Sequence, residues 1–444
     1  MKQSLDLITD LIKSARKSGA DAADVLLYES TALSVSQRMG KPEGLERAES
    51  KGIGLRVFIG NRSSMVSSSD TSKEACTEML TRSLAMAKLA PEDKFSGLAP
   101  EALLAKKIPD LDLYDKKEPN PEWLQEKCAI AEDAALAVKG VTNSEGADAA
   151  YGSVTFALAA SNGFAGVYQA SNASISVSVL AGTGSGMERD YDFTSARFVS
   201  DLSDAGALGI NAANRALARL NPRKIETGTI PVVFDPRVSK GMLGAFAGAI
   251  NGSSIARGTS FLKDSMGKQI FHKSINIIDE PHRLRGIGSK PFDGEGVANK
   301  KTLLVENGVL QTWLLDVRSA NKLGLVTTGH ASRGLSSPPS PSTTNLYIPP
   351  SEISVNDLLS NIKGGFYVTE VFGMGVNLIT GDYSQGAAGF WIENGVKSYA
   401  VSEVTIAGKL ADMFADLRVA NDLEFRYSTN APTLRIDTMT VAGR

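Results

Sequence analysis

The sequence predicts an α+β protein of two domains, with large antiparallel sheets flanked by helices and a C-terminal domain dominated by strands. Three observations lead there. Apolar residues recur at helical spacing in four stretches before residue 221. Between the last two of these the pattern changes to period two over 146–198. Beyond residue 228 the chain is glycine-rich and strand-like, and it carries two Asn-Gly hairpin signals. Its 444 residues also exceed the size at which a single hydrophobic core stops growing. The domains are placed at residues 1–224 and 225–444.

Each element has its own signal. Leu5, Ile8, Leu11, Ile12 and Ala15 share one face of a helix over 4–19, with Lys and Asp opposite and Gly19 as its cap. That amphipathic pattern is a surface helix packed on a domain, not a secretion signal. Residues 24–37 alternate in part and predict one or two strands. Residues 52–67 predict a hairpin turning at Gly60-Asn61. Helices follow over 72–89, capped by Thr71 or Ser72, and over 121–139, with a surface connection over 91–121 between them. Val154, Phe156 and Leu158, then Ile175, Val177 and Val179, mark long antiparallel strands, and 204–220 is a further helix stopped by Asn221-Pro222.

The domain boundary falls at 221–228. An apolar helix over 239–250 comes next. The four residues Glu-Asn-Gly-Val occur at 306–309 and again at 393–396. Asn-Gly between strand formers is a hairpin turn, because both central residues need positive φ. The repeat is either an internal duplication or two unrelated turns. Residues 336–350 hold Pro338, Pro339, Pro341, Pro349 and Pro350, which rules out a central strand and predicts a long ordered surface loop of the kind that borders binding sites.

Composition narrows the function. Hydrophobic residues are 42% and charged residues 22%, ordinary values for a globular protein. A net charge of −2 provides no general attraction for nucleic acid. The longest weakly polar run, 241–250, is half of what a membrane span needs, so a cytoplasmic protein is expected. Cys76 and Cys128 both fall in helical stretches and are expected as buried, reduced thiols.

No catalytic constellation stands out. His272, His282 and His330 have no partner histidine one helical turn away, and no HExxH or HExxxH occurs. A nucleophile elbow is lacking around Gly258-Thr259-Ser260. The glycines of 181–186 follow a strand, but a second strand follows them, so they form a hairpin turn and not a phosphate loop. Nothing in the sequence brings Glu370, Asp382 and Glu393 together for acid–base work.

Ordered segments along nearly the whole chain nevertheless resemble the TldD/PmbA family, once described as modulators of DNA gyrase and now associated with a heteromeric metallopeptidase. They are Lys51-Gly52-Ile53-Gly54-Leu55-Arg56-Val57, the stretch 228–236, Arg257-Gly258-Thr259-Ser260, 315–320, 322–324, Thr343-Thr344-Asn345-Leu346, Gly364-Gly365-Phe366-Tyr367-Val368 and Pro432-Thr433-Leu434-Arg435-Ile436-Asp437. The resemblance implies two kinds of subunit. The TldD kind has an HExxxH helix and a late cysteine that hold a metal. Counting back from Arg257, this chain has Leu243, Gly244 and Gly248 at those helix positions, no histidine before 272 and no cysteine after 128. It therefore resembles the PmbA (TldE) kind.

From the resemblance follow a TldD-like partner that carries zinc or a similar metal, no cofactor in this chain, and unfolded peptides as substrates, such as microcin precursors and antitoxins. No contact with nucleic acid or membrane is implied. The chain by itself is not expected to be catalytic. A homodimer in isolation, acting as a peptide-binding or scaffold protein without a proteolytic partner, is the alternative. Gly364, Gly365, Tyr367, Gly373, Gly375 and Asp382 are the candidate peptide-binding surface, by strand addition; the glycines equally suit mere sheet curvature.

Overall fold

The computed structural model describes residues 2–443. Strands β1 (Ala22–Arg38), β2 (Lys41–Ile59), β3 (Arg62–Ser68), β4 (Val141–Ala160), β5 (Ala165–Ala181) and β6 (Glu188–Ala196) form one antiparallel sheet in the order β3-β2-β1-β4-β5-β6. Side chains alternate across a strand, so Val25, Leu27, Leu33 and Val35 of β1 share a face. The first pair packs beneath helices α1 (Lys2–Lys17) and α2 (Lys73–Leu89). Leu33 and Val35 pack beneath α3 (Pro121–Leu136) and α4 (Ala205–Ala218). One continuous strand thus serves two separate cores, which explains why its pattern is ambiguous between one strand and two.

The helices begin where side-chain caps are available: Ser72, Asn120 and Asp204 each accept a backbone N–H of the first turn. Gly60 and Asn61 turn the β2–β3 hairpin, as expected. Unforeseen is the first half of β2, residues 41–51, which is fully exposed and polar and pairs with β1 as far as Lys41↔Arg38. The glycines of 181–186 do turn the chain between antiparallel β5 and β6.

The C-terminal half contributes β7 (Gly228–Phe234), β8 (Ile277–Asp279), β9 (Thr302–Glu306), β10 (Val309–Leu310), β11 (Ala331–Ser332), β12 (Ser340–Pro341), β13 (Leu346–Tyr347), β14 (Gly364–Phe372), β15 (Val376–Asn377), β16 (Asp382–Glu393), β17 (Val396–Lys409), β18 (Arg418–Val419), β19 (Thr429–Asn430) and β20 (Leu434–Ala442). In one sheet β14, β7, β20, β17 and β16 are successive neighbours, and β16 pairs back onto β14. The ring closes into a barrel, which removes the free edges an open sheet would leave. A second sheet runs β10-β9-β8-β13-β19. Helix α5 (Pro236–Ala249) joins the barrel core through Met242, Leu243, Phe246 and Ala249. Phe246, Phe271 and Phe414 pack there as rings, 4.5 Å between centroids for the last two.

Both Asn-Gly turns form, with positive φ at Asn307 and Gly308 and at Asn394 and Gly395, but they join strands of different sheets. The proline-rich stretch departs from the surface loop that was expected. Thr344, Asn345, Leu346 and Ile348 are buried, and β13 lies inside the second sheet between β8 and β19. Its prolines flank those two residues without occupying them, so that ladder loses no donor, while Pro341 falls in β12 of the separate two-stranded sheet. No described helix is long and apolar enough to cross a membrane.

Candidate functional site

Helix α5 starts three residues earlier than its apolar pattern implies, because Asp235 caps it and Pro236 occupies its first turn. Asp235 accepts from the Arg237 N–H and, through its other oxygen, from the Tyr367 hydroxyl at 3.0 Å. One face of α5 is core. The opposite face carries Arg237, Lys240, Gly241 and Gly244 outward, and a side chain at Gly241 or Gly244 would meet nothing within 4 Å. The Ser239 hydroxyl donates to the Ala431 carbonyl at 3.2 Å, which fixes the 429–431 segment against the helix.

A charged cleft opens at this end of α5, between the barrel and the edge strand β6. It comprises two cavities of 220 and 580 Å³ that share Arg215, Asp235 and Arg237 in their walls. Arg237 bonds Asp190 at 2.7 Å, while Arg215 and Arg426 reach Asp192 at 2.9 and 2.8 Å. Arg219 reaches Glu370 at 2.7 Å. Burial opposes ionisation of Asp192, but Arg426 and Arg215 outweigh it and hold the carboxyl below its usual range. Burial pushes the Tyr367 hydroxyl upward, and Asp235 adds to the shift. Lys240 moves the other way, down to about 8, through burial and then the nearby Arg237 and Arg426.

The edge of β6 is closed by side chains. Asp190 and Asp192 accept the N–H groups of Tyr191 and Phe193, and Arg215 and Arg426 donate to the carbonyls of the same two residues. A strand that could otherwise template another chain is thereby blocked.

The residues singled out from sequence do not form one surface. Gly365 and Tyr367 are buried, and residues 366–368 of β14 are paired with β7 on one side and β16 on the other, so strand addition there is closed off. Gly364 faces the Trp391 ring, and Gly375 lies against the Ser384 carbonyl too closely for any side chain. Gly373 has φ +95° in an exposed turn. Asp382 is ion-paired with Lys409 and opens β16, whose far end meets Gly364 and Gly365; at about 3.3 Å per residue that separates them by most of a domain.

Nor do the three carboxylates meet: Glu370 is taken by Arg219, and Glu393 lies at the opposite end of β16 from Asp382. His272 pairs with Ser274, His282 with Asn299, and buried His330 with Thr328 and Asp279, each in a different place. Burial pushes the thiol of Cys128 up to about 12 and raises that of Cys76, so neither is a nucleophile at neutral pH.

Comparison with known proteins draws these features together. Residues 23–87, 114–220 and 227–443 match the models of domain 1, the central domain and the C-terminal domain of the PmbA/TldA metallopeptidases. The Metalloprotease PmbA of Escherichia coli O157:H7 is 40% identical over 429 residues, which cover 96% of this chain and 93% of that protein. The chain belongs to the PmbA/TldD family. A proposed modulator of DNA gyrase from Bacteroides thetaiotaomicron superposes with TM-score 0.92 at 26% identity, covering both chains entirely. TldE from Thermococcus kodakarensis shares the fold, with TM-score 0.87 at 21% identity over 98% of this chain and all of that one.

The family is one of metallopeptidases, so the fit of a metal to α5 is a chemical question. Leu243 is core, while Gly244 and Gly248 offer no donor atom, and Gly248 is packed by Leu378. No group of three His, Cys, Asp or Glu that could hold an ion occurs among the described residues. These residues do not fit a catalytic divalent ion. The family motif at 51–57 has a structural use instead. Gly54 lies under the Leu335 carbonyl, and Arg56 shares buried Asp24 with Arg333, clamping the C-terminal half onto the first sheet.

Sequence reasoning missed the cleft. Its charges come from β6, α4, α5, β14, β17 and 422–430, far apart in the chain. Two local signals were present: Asp190 and Asp192 on one strand face, and Arg215 and Arg219 one helical turn apart.

Proposed function

We propose that this chain is the metal-free subunit of a cytoplasmic TldD/TldE-type peptidase complex, which presents unfolded peptide to a TldD-like partner bearing zinc or a similar metal. The observation that carries this reading is helix α5. It packs its apolar face into the barrel core, while positions 243, 244 and 248 supply no ligand, so on this reading hydrolysis falls to the partner. The charged cleft beside it gives a peptide something to contact. Strand addition at β14 and at the edge of β6 is closed by pairing and by side chains, so at this end of the molecule the reading relies on side-chain contacts within the cleft.

The test is hydrolysis of an unfolded peptide by this chain alone, by a TldD-type subunit alone, and by the two together. Cleavage is expected to require the TldD-type subunit and to rise when this chain is added. If the chain alone digests the peptide and a chelator stops it, the reading is overturned.

A further inference from the structure

Beyond the end of β6 lies a smaller cavity, of 210 Å³. Tyr427 stands in its wall and in that of the 220 Å³ cavity, so the two adjoin. Three arginines line the smaller one, Arg197, Arg283 and Arg285, against a single carboxylate, Asp201. Arg285 takes that carboxylate at 2.9 Å and Asp112 at 2.6 Å. Arg197 and Arg283 remain, and among the described residues neither makes an ion pair. Nearby acids are engaged elsewhere. Glu280 bonds Lys301 and the Tyr347 hydroxyl, and exposed Glu424 lines the neighbouring cavity instead.

Both guanidinium groups are held without being neutralised. Arg197 donates to the main-chain carbonyls of Ser171, Gly286 and Ile287, which fix its plane and use three of its five N–H groups. Arg283 lies over the Phe425 ring, 3.4 Å from its centroid, and Tyr347 packs edge-on against that ring at 5.1 Å. An aromatic face supports a guanidinium but takes none of the hydrogens in its plane. Such a planar fork matches the two oxygens of a carboxylate. We propose that Arg197 and Arg283 make this cavity an oxyanion-receiving pocket, filled by a carboxylate of the bound peptide, either its C-terminus or an acidic side chain.

The proposal rests on the peptide-presenting reading and adds which part of the peptide is recognised. A chain lying in the charged cleft has the pocket beside it, across Tyr427. Burial disfavours the charge of Arg197, and the group that opposes this is the Tyr168 hydroxyl rather than a carboxylate, so a bound anion relieves a penalty the protein leaves standing. Exposed Leu284 and Phe425 give the pocket an apolar rim for the side chain next to the carboxylate.

The experiment uses four labelled, unstructured peptides of Gly, Ser and Leu, with a free or amidated C-terminus combined with one internal Glu or Gln. Their binding to the full chain, alone and with a TldD-type subunit, is followed by fluorescence anisotropy. The peptide lacking both carboxylates is expected to bind about tenfold more weakly than the one with both, the scale of one charge-assisted hydrogen bond. The two single-carboxylate peptides tell which source is used.

Arg283→Gln, checked for native circular dichroism, should abolish that difference, and Arg257→Gln, at an exposed arginine outside the cavity, should keep it. Phenylglyoxal labelling mapped by mass spectrometry gives a second readout that needs no variant: Arg283 is expected to react in the free chain and to be protected by the free-acid peptide. Equal affinity for all four peptides overturns the carboxylate pocket and leaves peptide presentation standing. Binding of none, to chain or complex, overturns both. Displacement of the free-acid peptide by inorganic phosphate at equal concentration also overturns the assignment, because the pocket would then take small oxyanions and not a peptide.

Discussion

At Gly54 a Cβ would stand 2.2 Å from the Leu335 carbonyl oxygen, a backbone atom with no rotamer by which to move aside. Gly54→Ala is therefore expected to destabilise the protein by about 1–3 kcal/mol, the usual cost of forced overpacking, whereas Gly97→Ala, with nothing within 4 Å, should be near neutral. Urea unfolding of the two variants checks the contrast. Buried Glu295 lies close by, its Oε2 accepting the Val317 N–H at 2.8 Å. Burial drives its carboxyl from 4.5 up to about 8, against the pull of Arg56. Between those values the folded state keeps a proton that the unfolded chain has released. Stability is thus highest at the acid end of this window and falls as pH rises through it, by up to about 1.4 kcal/mol per unit. Glu295→Gln keeps the acceptor and should flatten that slope between pH 5 and 8 in denaturant titrations. An unchanged slope would show that this carboxyl titrates normally.

At the scale of the element, α5 separates packing from chemistry. Leu243 is 1% exposed in the barrel core, so Leu243→Ala should cost about 2–5 kcal/mol, with cavity and transfer terms adding. Gly244 faces open space within the same helix. Gly244→Ala should therefore stabilise by about 0.5–1 kcal/mol, since alanine loses less backbone freedom than glycine in a helix. Thermal unfolding of both variants tests whether position 244 has any structural reason to be glycine; a destabilised Gly244→Ala would point to a contact there. Strand β6 shows a different division of labour. Asp192 at once caps its own edge and pairs with two arginines from other elements, so one substitution at this point opens the edge and removes the carboxylate both arginines share. The pairing explains how an exposed edge can border a cleft without recruiting other strands.

Across the whole molecule, the halves are joined by pairs that cross from the first sheet to the second half of the chain. Asp24–Arg333, Asp190–Arg237 and Asp192–Arg426 are the most buried of these. Removing one member of a buried pair leaves the other charge desolvated, at a cost of about 3–5 kcal/mol, so the halves are strongly coupled. They are expected to unfold together. Trp123 lies in α3, and Trp313 and Trp391 lie in the C-terminal half, so variants that keep one tryptophan each report the two halves separately. Coincident urea midpoints are expected, and Asp24→Asn should lower all of them. Distinct midpoints in the unmodified background would show that the halves are thermodynamically independent.

The sequence by itself determined what depends on neighbours within a few residues. Helical period located α1 through α4, and paired positive-φ residues located both Asn-Gly turns. The residue types present, three histidines and two cysteines with none of them in 236–249, leave α5 without an imidazole or thiolate, and that was legible before any fold was known. Family membership was legible for the same reason, as a string of short ordered motifs. Tertiary structure alone decided the rest. The polar residues 41–51 are a strand only because β1 runs beside them, and the closure of the barrel depends on β16 finding β14. The prolines of 338–350 were mistaken for a surface loop because their flanking role appears only once β13 is seated between two other strands. The cleft was invisible because its charges come from six separate segments, and a sequence records how residues are spaced along the chain but not which distant ones folding brings into contact.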